Sequence, residues 1–346
     1  MSIVAHTRPF VIGVDAHART HALAVLACPT GEVLDEAQFP ATTAGLARAV
    51  AWVARRTGAD LDALWVIEGV GTYGARLARA AADAGYAVAE APRMNARANR
   101  GVGKSDPLDA RRIAQAALPL DHTQLRLPRT DEGARAALRI LIASRDHITN
   151  ERTAAINALI ALLRVVDLGI DARGTLNTGR ISEIAAWRAR AEAVRLAKRV
   201  RTADRELGDL TRQMTALLNE SPAAGLLDQP GIGPVTAAIA YAAWSHPGRI
   251  RSEAAFASLA GVNPIPASSG NTVRHRINRG GDRRLNRALH MAVVTRMRMD
   301  PETRAYVDKR TAQGRTPREI RRSLKRYLAR QIYRQLNATI TPAAAA

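Results

Sequence analysis

The chain has 346 residues, 47% of them hydrophobic, so it is long enough for two or three domains with separate cores. Its single cysteine, Cys28, excludes an intrachain disulfide and a cysteine zinc site, and the lack of a long uncharged apolar run or a secretory signal pattern predicts a cytoplasmic protein without membrane spans. The formal net charge of +20 predicts a nucleic-acid partner, because Lys and Arg release condensed counterions when they bind phosphates.

The first 90 residues show the pattern of a mixed α/β sheet. Three successive short strands are predicted at residues 9–15, 22–27 and 32–39, with Gly31 in the turn before the third. The elements predicted next are a helix, a strand, a helix and a strand, at residues 43–56, 63–67, 73–84 and 86–90. Three strands followed by alternating helices and strands predict a sheet of the ribonuclease H type.

The middle of the chain is predicted to be helical. Apolar residues at three- and four-residue steps predict one long amphipathic helix over 132–164, and a second helical stretch covers 181–218 after a break. We interpret the pair as a helical hairpin or coiled-coil arm, with intrachain packing and dimerisation equally open as its role. The predicted parts are a sheet domain ending in a long helix, an arm and a basic domain, at residues 1–165, 166–221 and 222–340.

The C-terminal part is richer in Pro, Gly and positive charge. Residues 223–346 carry 21 basic and 7 acidic side chains, whereas residues 1–120 carry 13 and 11. The run QPGIGP has the form of a helix-hairpin-helix turn, in which the backbone N–H groups near Gly231 and Gly233 could face a phosphate; a tight turn without a ligand is equally open. The arginines that we interpret as phosphate-positioning are Arg274, Arg276, Arg279, Arg283, Arg284 and Arg287.

Two helix starts in this part are well marked. Asp282 can cap the helix that follows it, and Thr316 precedes a proline at the first helical position and a glutamate at the third. The helix after Thr316 is predicted to pack on one face and to be basic on the other.

Four acids are predicted to lie at one edge of the sheet. Asp15 ends the apolar strand VIGVD, and Glu68 ends LWVIE. In KSDPLDARRIA, Asp106 is interpreted as a helix N-cap, which places Asp109 one turn later with its side chain near that of Asp106. We expect carboxylates at strand ends to be exposed at the rim of the sheet, where ligands commonly bind, and not buried in it.

Converging carboxylates repel one another unless a cation holds them together. Oxygen ligands of this kind suggest Mg²⁺, or Mn²⁺ as the alternative, and such sites serve phosphoryl transfer in nucleases and transesterases. Taken singly, Asp106 would be only a helix cap and Glu68 only a solvated strand end. His17, beside Asp15, is interpreted as a surface histidine, with a metal ligand or a base as the alternative.

At these residues the sequence resembles the insertion-sequence transposases of family one-hundred-ten and the related Piv-type DNA invertases. The matching acidic motifs are GVDAHA, IEGVGTYG and KSDPLDARRIA. The matching C-terminal motifs, in the same order as in the family, are LLDQPGIGPVTAAIA, FASLAGVNPIPASSG and RINRGGDRRLNRALHMA. The resemblance therefore spans nearly the whole chain.

The resemblance implies a RuvC-like ribonuclease H domain, a helical coiled-coil arm and a mainly helical C-terminal transposase domain. The Mg²⁺-binding Asp-Glu-Asp-Asp tetrad of the family corresponds here to Asp15, Glu68, Asp106 and Asp109. The family's active serine, just before a glycine, corresponds to Ser269 in Ser268-Ser269-Gly270, with Ser268 as the competing choice. Without the resemblance, both serines would be read as part of a polar loop.

The resemblance also implies how the protein works and with which partners. Members are understood to cut DNA through a covalent phosphoserine, to select target and donor DNA with a structured noncoding RNA encoded by the element, and to act as tetramers. We therefore expect double-stranded DNA of the element ends and target and a guide RNA as partners, a homodimer or homotetramer, and a place at the bacterial nucleoid.

The function predicted first is thus an RNA-guided DNA transposase with a metal-binding tetrad and a serine nucleophile. One alternative is a junction-resolving nuclease that uses metal-activated water and leaves no protein–DNA adduct. Another is a non-catalytic nucleic-acid-binding protein whose acids are caps and surface charges, without dependence on divalent metal.

Overall fold

The computed structural model describes residues 2–28, 30–92, 105–129, 133–166, 169–171, 173–186, 191–267, 275–278 and 280–338. The chain divides into two compact units. The first comprises residues 1–130 together with 246–251, and the second comprises 131–245 and 252–346. In the described part of the chain, no helix has both the length and the apolar character that a membrane crossing requires.

The first unit contains a five-stranded mixed sheet. Its strands are β1 (Phe10–Ala16), β2 (Thr20–Ala27), β3 (Val33–Pro40), β4 (Leu64–Ile67) and β5 (Ala87–Glu90). The order across the sheet is β3-β2-β1-β4-β5, with β1–β2 and β2–β3 antiparallel and β1–β4 and β4–β5 parallel. The predicted meander and the alternation after it are confirmed, and the sheet is consistent with a ribonuclease H-like domain.

Helices cover both faces of this sheet. They are α1 (Val4–Thr7), α2 (Thr43–Thr57), α3 (Ala75–Asp83) and α4 (Asp106–Ala117). On one face Ile12 packs in a core with residues of α2 and α3, and on the other Val11 packs with residues of α4. Because both faces are covered, β1 and β2 are nearly continuous apolar runs.

Strand β1 and helix α4 approach each other closely at Gly13. A Cβ added to Gly13 would lie 2.0 Å from the carbonyl oxygen of Ala110 and 2.7 Å from the amide nitrogen of Ala114. Only glycine leaves room for this contact, since both neighbours are backbone atoms. The packing holds the first turn of α4, which carries Asp106, beside the end of β1, which carries Asp15.

Replacing Gly13 by alanine is expected to destabilise the first unit. Over-packing a core costs about 1–3 kcal/mol, and we expect about 3 kcal/mol here because no flexible side chain can give way. Chemical denaturation monitored by circular dichroism measures the change. Gly71→Ala is the matched control, since its Cβ meets nothing within 4 Å, and we expect it to change stability by less than about 0.5 kcal/mol. Equal stability of the two variants would contradict the close contact at Gly13.

The second unit is mainly helical. Its helices are α5 (Gly133–Val165), α6 (Thr178–Ala186), α7 (Ala191–Asn219), α8 (Pro234–Trp244), α9 (Glu253–Leu259), α10 (Arg283–Met299), α11 (Pro301–Ala312) and α12 (Pro317–Ala338). A two-stranded antiparallel sheet joins β6 (Pro264–Pro266) to β7 (His275–Ile277). We did not predict these two strands.

The long helices α5 and α7 lie against each other, and α6 packs on the same core. Leu159 of α5, Ile184 of α6 and Val200 of α7 are buried together. The helix predicted over 132–164 is confirmed, whereas the single stretch predicted over 181–218 is described as two helices on either side of residues 187–190. Intrachain packing is one of the two roles that the sequence left open for this pair.

Both predicted helix starts in the C-terminal part are confirmed. Asp282 accepts hydrogen bonds from the amides of Arg284 and Leu285 at the start of α10. At the start of α12, the Thr316 amide donates to the Glu319 carboxylate at 2.9 Å, and the Glu319 amide donates to the Thr316 hydroxyl at 3.4 Å. This reciprocal pair is a capping box.

A short segment distant in sequence completes the first unit. Residues 246–251 pack there, with Nη2 of Arg249 3.4 Å from the Glu90 carboxylate at the end of β5 and Nε2 of His246 3.0 Å from the carbonyl oxygen of Pro128. Burial lowers the pKa of Arg249, while Glu90 acts in the opposite direction.

Candidate active site

Asp15 lies at the centre of the candidate site. It is near the end of β1, the middle strand of the sheet, and is only 6% exposed. The exposure predicted for a carboxylate at a strand end is therefore wrong for Asp15, because α4 packs against this end of β1. Burial raises the pKa of the Asp15 carboxyl above its usual value, because a charged carboxylate loses hydration there. The neighbouring carboxylates of Asp106 and Asp109 raise it further, and His17 opposes them. The first unit therefore concentrates negative charge at this edge of the sheet.

His17 connects the two nearest carboxylates. Its Nε2 atom lies 3.0 Å from Oδ2 of Asp15 and 3.5 Å from Oδ1 of Asp106. One possible ligand atom from each of these three residues lies within 4.8 Å of the other two. The His17 side chain is half exposed, so it has the surface position that we expected. Its contact with both carboxylates corresponds to the alternative in our interpretation of the sequence, in which His17 is a ligand or a base.

Helix α4 supplies Asp106 and Asp109. The sequence placed the N-cap at Asp106, but the structure corrects this: Ser105 is extended and is the N-cap, and Asp106 is the first helical residue. Asp106 is therefore not the cap, and its carboxylate instead lies 3.5 Å from Nε2 of His17. Asp109 is one turn later, mostly buried, and accepts a hydrogen bond of 3.0 Å from Arg112.

Glu68 lies at the same edge of the sheet but outside the three-residue cluster. It directly follows β4, and its amide donates a 2.9 Å hydrogen bond to the carbonyl oxygen of Val14, next to Asp15. Its side chain is exposed. Parallel pairing of β1 and β4 thus brings the backbone of Glu68 beside the end of β1, as strand-end placement predicts.

The donor set at this edge suits a cation. The carboxylates of Asp15 and Asp106 offer oxygen ligands of the kind that Mg²⁺ and Mn²⁺ prefer, and Asp109 adds negative charge next to them. His17 is a nitrogen donor, which is less typical for Mg²⁺. A metal ion can therefore be held here, and the donors alone do not identify it.

The predicted serine lies outside the described residues. Ser268, Ser269, Arg274 and Arg279 fall in the parts of the sequence that the structure leaves undescribed between residues 268 and 279. In the sequence, both serines belong to the connection between β6 and β7. The assignment of Ser269 stays a prediction.

The glycine-rich turn before α8 has a packing role. Gly231 has a positive φ of 74°, and a Cβ there would lie 2.7 Å from the carbonyl oxygen of Ala292 in α10. Arg296 donates hydrogen bonds to the carbonyl oxygen of Pro230 at 2.6 Å and to the side chain of Gln229 at 3.1 Å. A Cβ added to Gly233, the N-cap of α8, would meet nothing within 4 Å. Packing against α10 and a positive φ therefore explain the glycine at position 231 without a bound phosphate. At Gly233 there is free space beside the start of α8.

The arginines after β7 have different surroundings. Arg284 and Arg287 form ion pairs with Asp146 of α5, at 2.8 Å and 3.3 Å, so part of their charge is already balanced within the second unit. Arg276 and Arg283 instead line a groove with basic residues of α11 and α12 that we did not single out from the sequence. Their signal in the sequence was the basic face predicted for the helix after Thr316.

Comparisons with known proteins match two successive parts of the chain. Residues 12–166 match the family model of the DEDD-type IS110 transposases, described as "Transposase". Residues 223–308 match the model described as "Transposase IS116/IS110/IS902 family". The first match contains all four predicted acids, and the second contains the predicted serine.

Two relatives come from insertion elements. The chain is 28% identical over 345 residues to the "Insertion element IS110 uncharacterized 43.6 kDa protein" of Streptomyces coelicolor. This alignment covers 83% of this chain and 84% of the relative. The chain is 33% identical over 128 residues to the "Insertion element IS900 uncharacterized 42 kDa protein" of Mycobacterium paratuberculosis, which covers 35% of this chain and 31% of the relative. Since two models of one family match successive parts of the sequence and the first of these relatives aligns along most of it, the chain belongs to the IS110 family of insertion-element transposases.

Proposed function

We propose that the protein cuts and rejoins DNA with a divalent metal ion held by its acidic residues and with Ser269 as the nucleophile, guided by a noncoding RNA. Membership of a transposase family implies DNA binding, cutting and rejoining. The metal, the serine and the RNA go beyond that membership and are the substance of the proposal.

One observation carries the metal site. Asp15 is buried at the end of the central strand, and its carboxylate meets His17, which also contacts Asp106 from a helix 90 residues further along the chain. A structural protein gains nothing from clustering acids where burial raises the pKa of one of them. A cation at the cluster would offset that cost.

The residues assigned to the metal are Asp15, Glu68, Asp106 and Asp109. Mg²⁺, or Mn²⁺ in its place, would stabilise the charge that develops on phosphate oxygens during phosphoryl transfer. Asp15 and Asp106 would hold the ion, Asp109 would add charge beside it, and Glu68 would approach it from the end of β4. His17 contacts the carboxylates of both Asp15 and Asp106 beside that position.

The serine carries the covalent step. The Ser269 hydroxyl oxygen attacks a DNA phosphorus, the new O–P bond makes a phosphoserine, and the P–O bond to one deoxyribose oxygen breaks. The serine proton is transferred to that leaving oxygen. Rejoining reverses this exchange with the hydroxyl of another DNA end. A serine hydroxyl needs a base, a metal or dense positive charge to react in this way. Ser269 as the residue rests on the family resemblance alone.

The partners follow from the same proposal. Double-stranded DNA of the element ends and of the target is the substrate, and a structured RNA encoded by the element selects it. The high positive charge of residues 223–346 supports binding of such polyanions. A homodimer or homotetramer would bring two cutting sites to the two DNA ends.

The experiment that tests the proposal is a search for a covalent intermediate. The purified protein is incubated with DNA of the element ends and target, with RNA transcribed from the element's flanks, and with Mg²⁺, Mn²⁺ or EDTA. Products are separated under denaturing conditions. We expect a protein–DNA adduct that requires both the RNA and the metal. Cut DNA without an adduct would favour a nuclease that uses water, and binding without cutting in every metal condition would favour a non-catalytic protein.

A further inference from the structure

A basic groove of about 630 Å³ lies in the second unit, whereas the acidic site belongs to the first unit. One side is formed by β6, β7 and the start of α10, and the other by α12 with the end of α11. Among the described residues, seven Lys and Arg side chains line it, against a single carboxylate, that of Glu319. Its volume is within the range of ligand pockets, about 300–1,000 Å³.

The positive charge in this groove is largely unbalanced. Within the described ranges, no carboxylate forms an ion pair with Arg276, Arg283, Arg322, Lys325 or Arg326. The carboxylate of Glu319 lies 3.8 Å from Arg315 and also accepts a hydrogen bond in the capping box of α12. Several arginines elsewhere in the same unit do form ion pairs with carboxylates.

The contrast is clear on α12 itself. Arg330 and Arg334, two and three turns after Arg322, both contact the carboxylate of Glu253 at 2.6 Å and 3.4 Å. The paired arginines serve to pack α12 on α9, whereas those facing the groove have no such partner among the described residues. The groove therefore contains part of the positive charge that the second unit does not balance with its own carboxylates.

One of the groove cations is held in place by the fold. Lys325 donates a 3.0 Å hydrogen bond to the side-chain oxygen of Asn286, and the amide nitrogen of Asn286 donates to the carbonyl oxygen of Ala260 at 2.7 Å. Burial lowers the pKa of Lys325, and Arg283, Arg322 and Arg321 lower it further. A bound anion would offset this repulsion and would favour the charged lysine.

The chemistry of the lining selects the kind of anion. The described lining residues include no Phe, Tyr or Trp, and the imidazole of His275 is the one aromatic ring among them. The groove therefore offers many more contacts to a phosphate backbone than to bases. Guanidinium groups make paired hydrogen bonds to phosphate oxygens. A phosphodiester backbone fits this set of donors.

The place of the groove favours DNA. Its wall includes β6 and β7, and the sequence between these strands contains the serine proposed to attack DNA. Ser269 follows Pro266, the last residue of β6, by three positions in the sequence, and this short separation in sequence is the link between the groove and the proposed chemistry. The basic residues of α12 lie beyond residue 308, where the match to the second family model ends, so the match does not assign them a role.

We propose that this groove binds the phosphodiester backbone of the DNA duplex to be cut, with Arg322, Lys325 and Arg326 as phosphate contacts. The choice of DNA rests on the proposed function; the anion site itself rests on the unbalanced charge of the groove. Each duplex phosphate contact adds about 0.9 to the slope of log K against log salt concentration.

The test is the salt dependence of DNA binding by an Arg322→Gln/Arg326→Gln variant. These two exposed arginines are one turn apart on α12 and form no ion pair among the described residues. Binding of an element-end duplex is followed by fluorescence anisotropy in EDTA over a salt series. We expect the slope to fall by about 2 and Kd at 0.1 M salt to rise about 10- to 100-fold.

A control with the same change in charge makes the test specific. Lys309→Gln/Arg318→Gln removes two exposed cations from α11 and α12 that do not line the groove, and we expect its slope to match the wild type. Equal slopes for the two double variants would overturn the groove as a phosphate site. A lowered slope with structured RNA but not with the duplex would overturn the assignment to DNA. Thermal unfolding checks that both variants are folded.

Because EDTA removes any dependence on cutting, this test stands apart from the test of the proposed function. Asp15→Asn, which lies in the other unit, is expected to bind the duplex with the wild-type slope. If no adduct forms but the Arg322→Gln/Arg326→Gln variant still has the lower salt slope, the serine mechanism is contradicted and the groove remains supported as a phosphate-binding site.

Discussion

Asp15→Asn is expected to lower DNA cutting by at least about 10³-fold and to leave duplex binding unchanged. Asparagine keeps the shape of the side chain but removes the negative charge that faces His17 and Asp106. Loss of a metal's charge stabilisation costs several kcal/mol, and each 1.4 kcal/mol is about tenfold in rate. Cutting rates under saturating Mg²⁺, with Kd measured separately, test the expectation.

Asp62→Asn is the matched control for this variant. Asp62 is an exposed acid in the same unit, before β4, with only a long ion pair of 3.7 Å to Arg8. We expect its cutting rate to stay within about twofold of the wild type, because surface ion pairs contribute little. If Asp15→Asn kept more than a tenth of the wild-type rate, Asp15 would not be a metal ligand.

Ser269→Ala is expected to abolish the covalent protein–DNA adduct. Loss of a nucleophile costs up to roughly 10⁶-fold in kcat in serine enzymes, and without the hydroxyl no phosphoserine can form. Duplex binding and RNA binding should be unchanged. The measurement is the denaturation-resistant adduct, with recombination of the element ends as a second readout.

Ser268→Ala is the control, since it removes the same group one residue earlier. We expect it to form the adduct at a rate within about tenfold of the wild type. The reverse result, an adduct with Ser269→Ala but not with Ser268→Ala, would move the nucleophile to Ser268. Adducts with both single variants would remove the serine mechanism.

The two units carry opposite charge roles in this proposal. The first concentrates carboxylates at the end of β1, with burial opposing the ionised form of Asp15. The second collects cations in the groove, with burial and neighbouring arginines opposing the charged form of Lys325. Each cluster is costly alone and would be stabilised by the partner of opposite charge: a metal ion for the first, DNA phosphates for the second.

Local patterns in the sequence were sufficient for the elements that frame both sites. The apolar runs of β1 and β4 each lead to an acid, Asp15 near the end of β1 and Glu68 directly after β4. The caps at Asp282 and Thr316 involve residues only two or three positions apart. Hydrophobic periodicity and capping depend on neighbours within a few residues, so one sequence suffices to read them.

Contacts between distant residues were decided only by the tertiary structure. His17 joins Asp106, Asp146 pairs with Arg284 and Arg287, and residues 246–251 add to the first unit because of packing between segments far apart in sequence. The division of arginines into paired ones and groove-facing ones depends on which helix faces they meet, and composition cannot show this. The sequence by itself thus determined the strands, the acids at their ends and the basic character of the C-terminal part, while the tertiary structure decided which charges meet, because charge pairing depends on distances that only the folded chain defines.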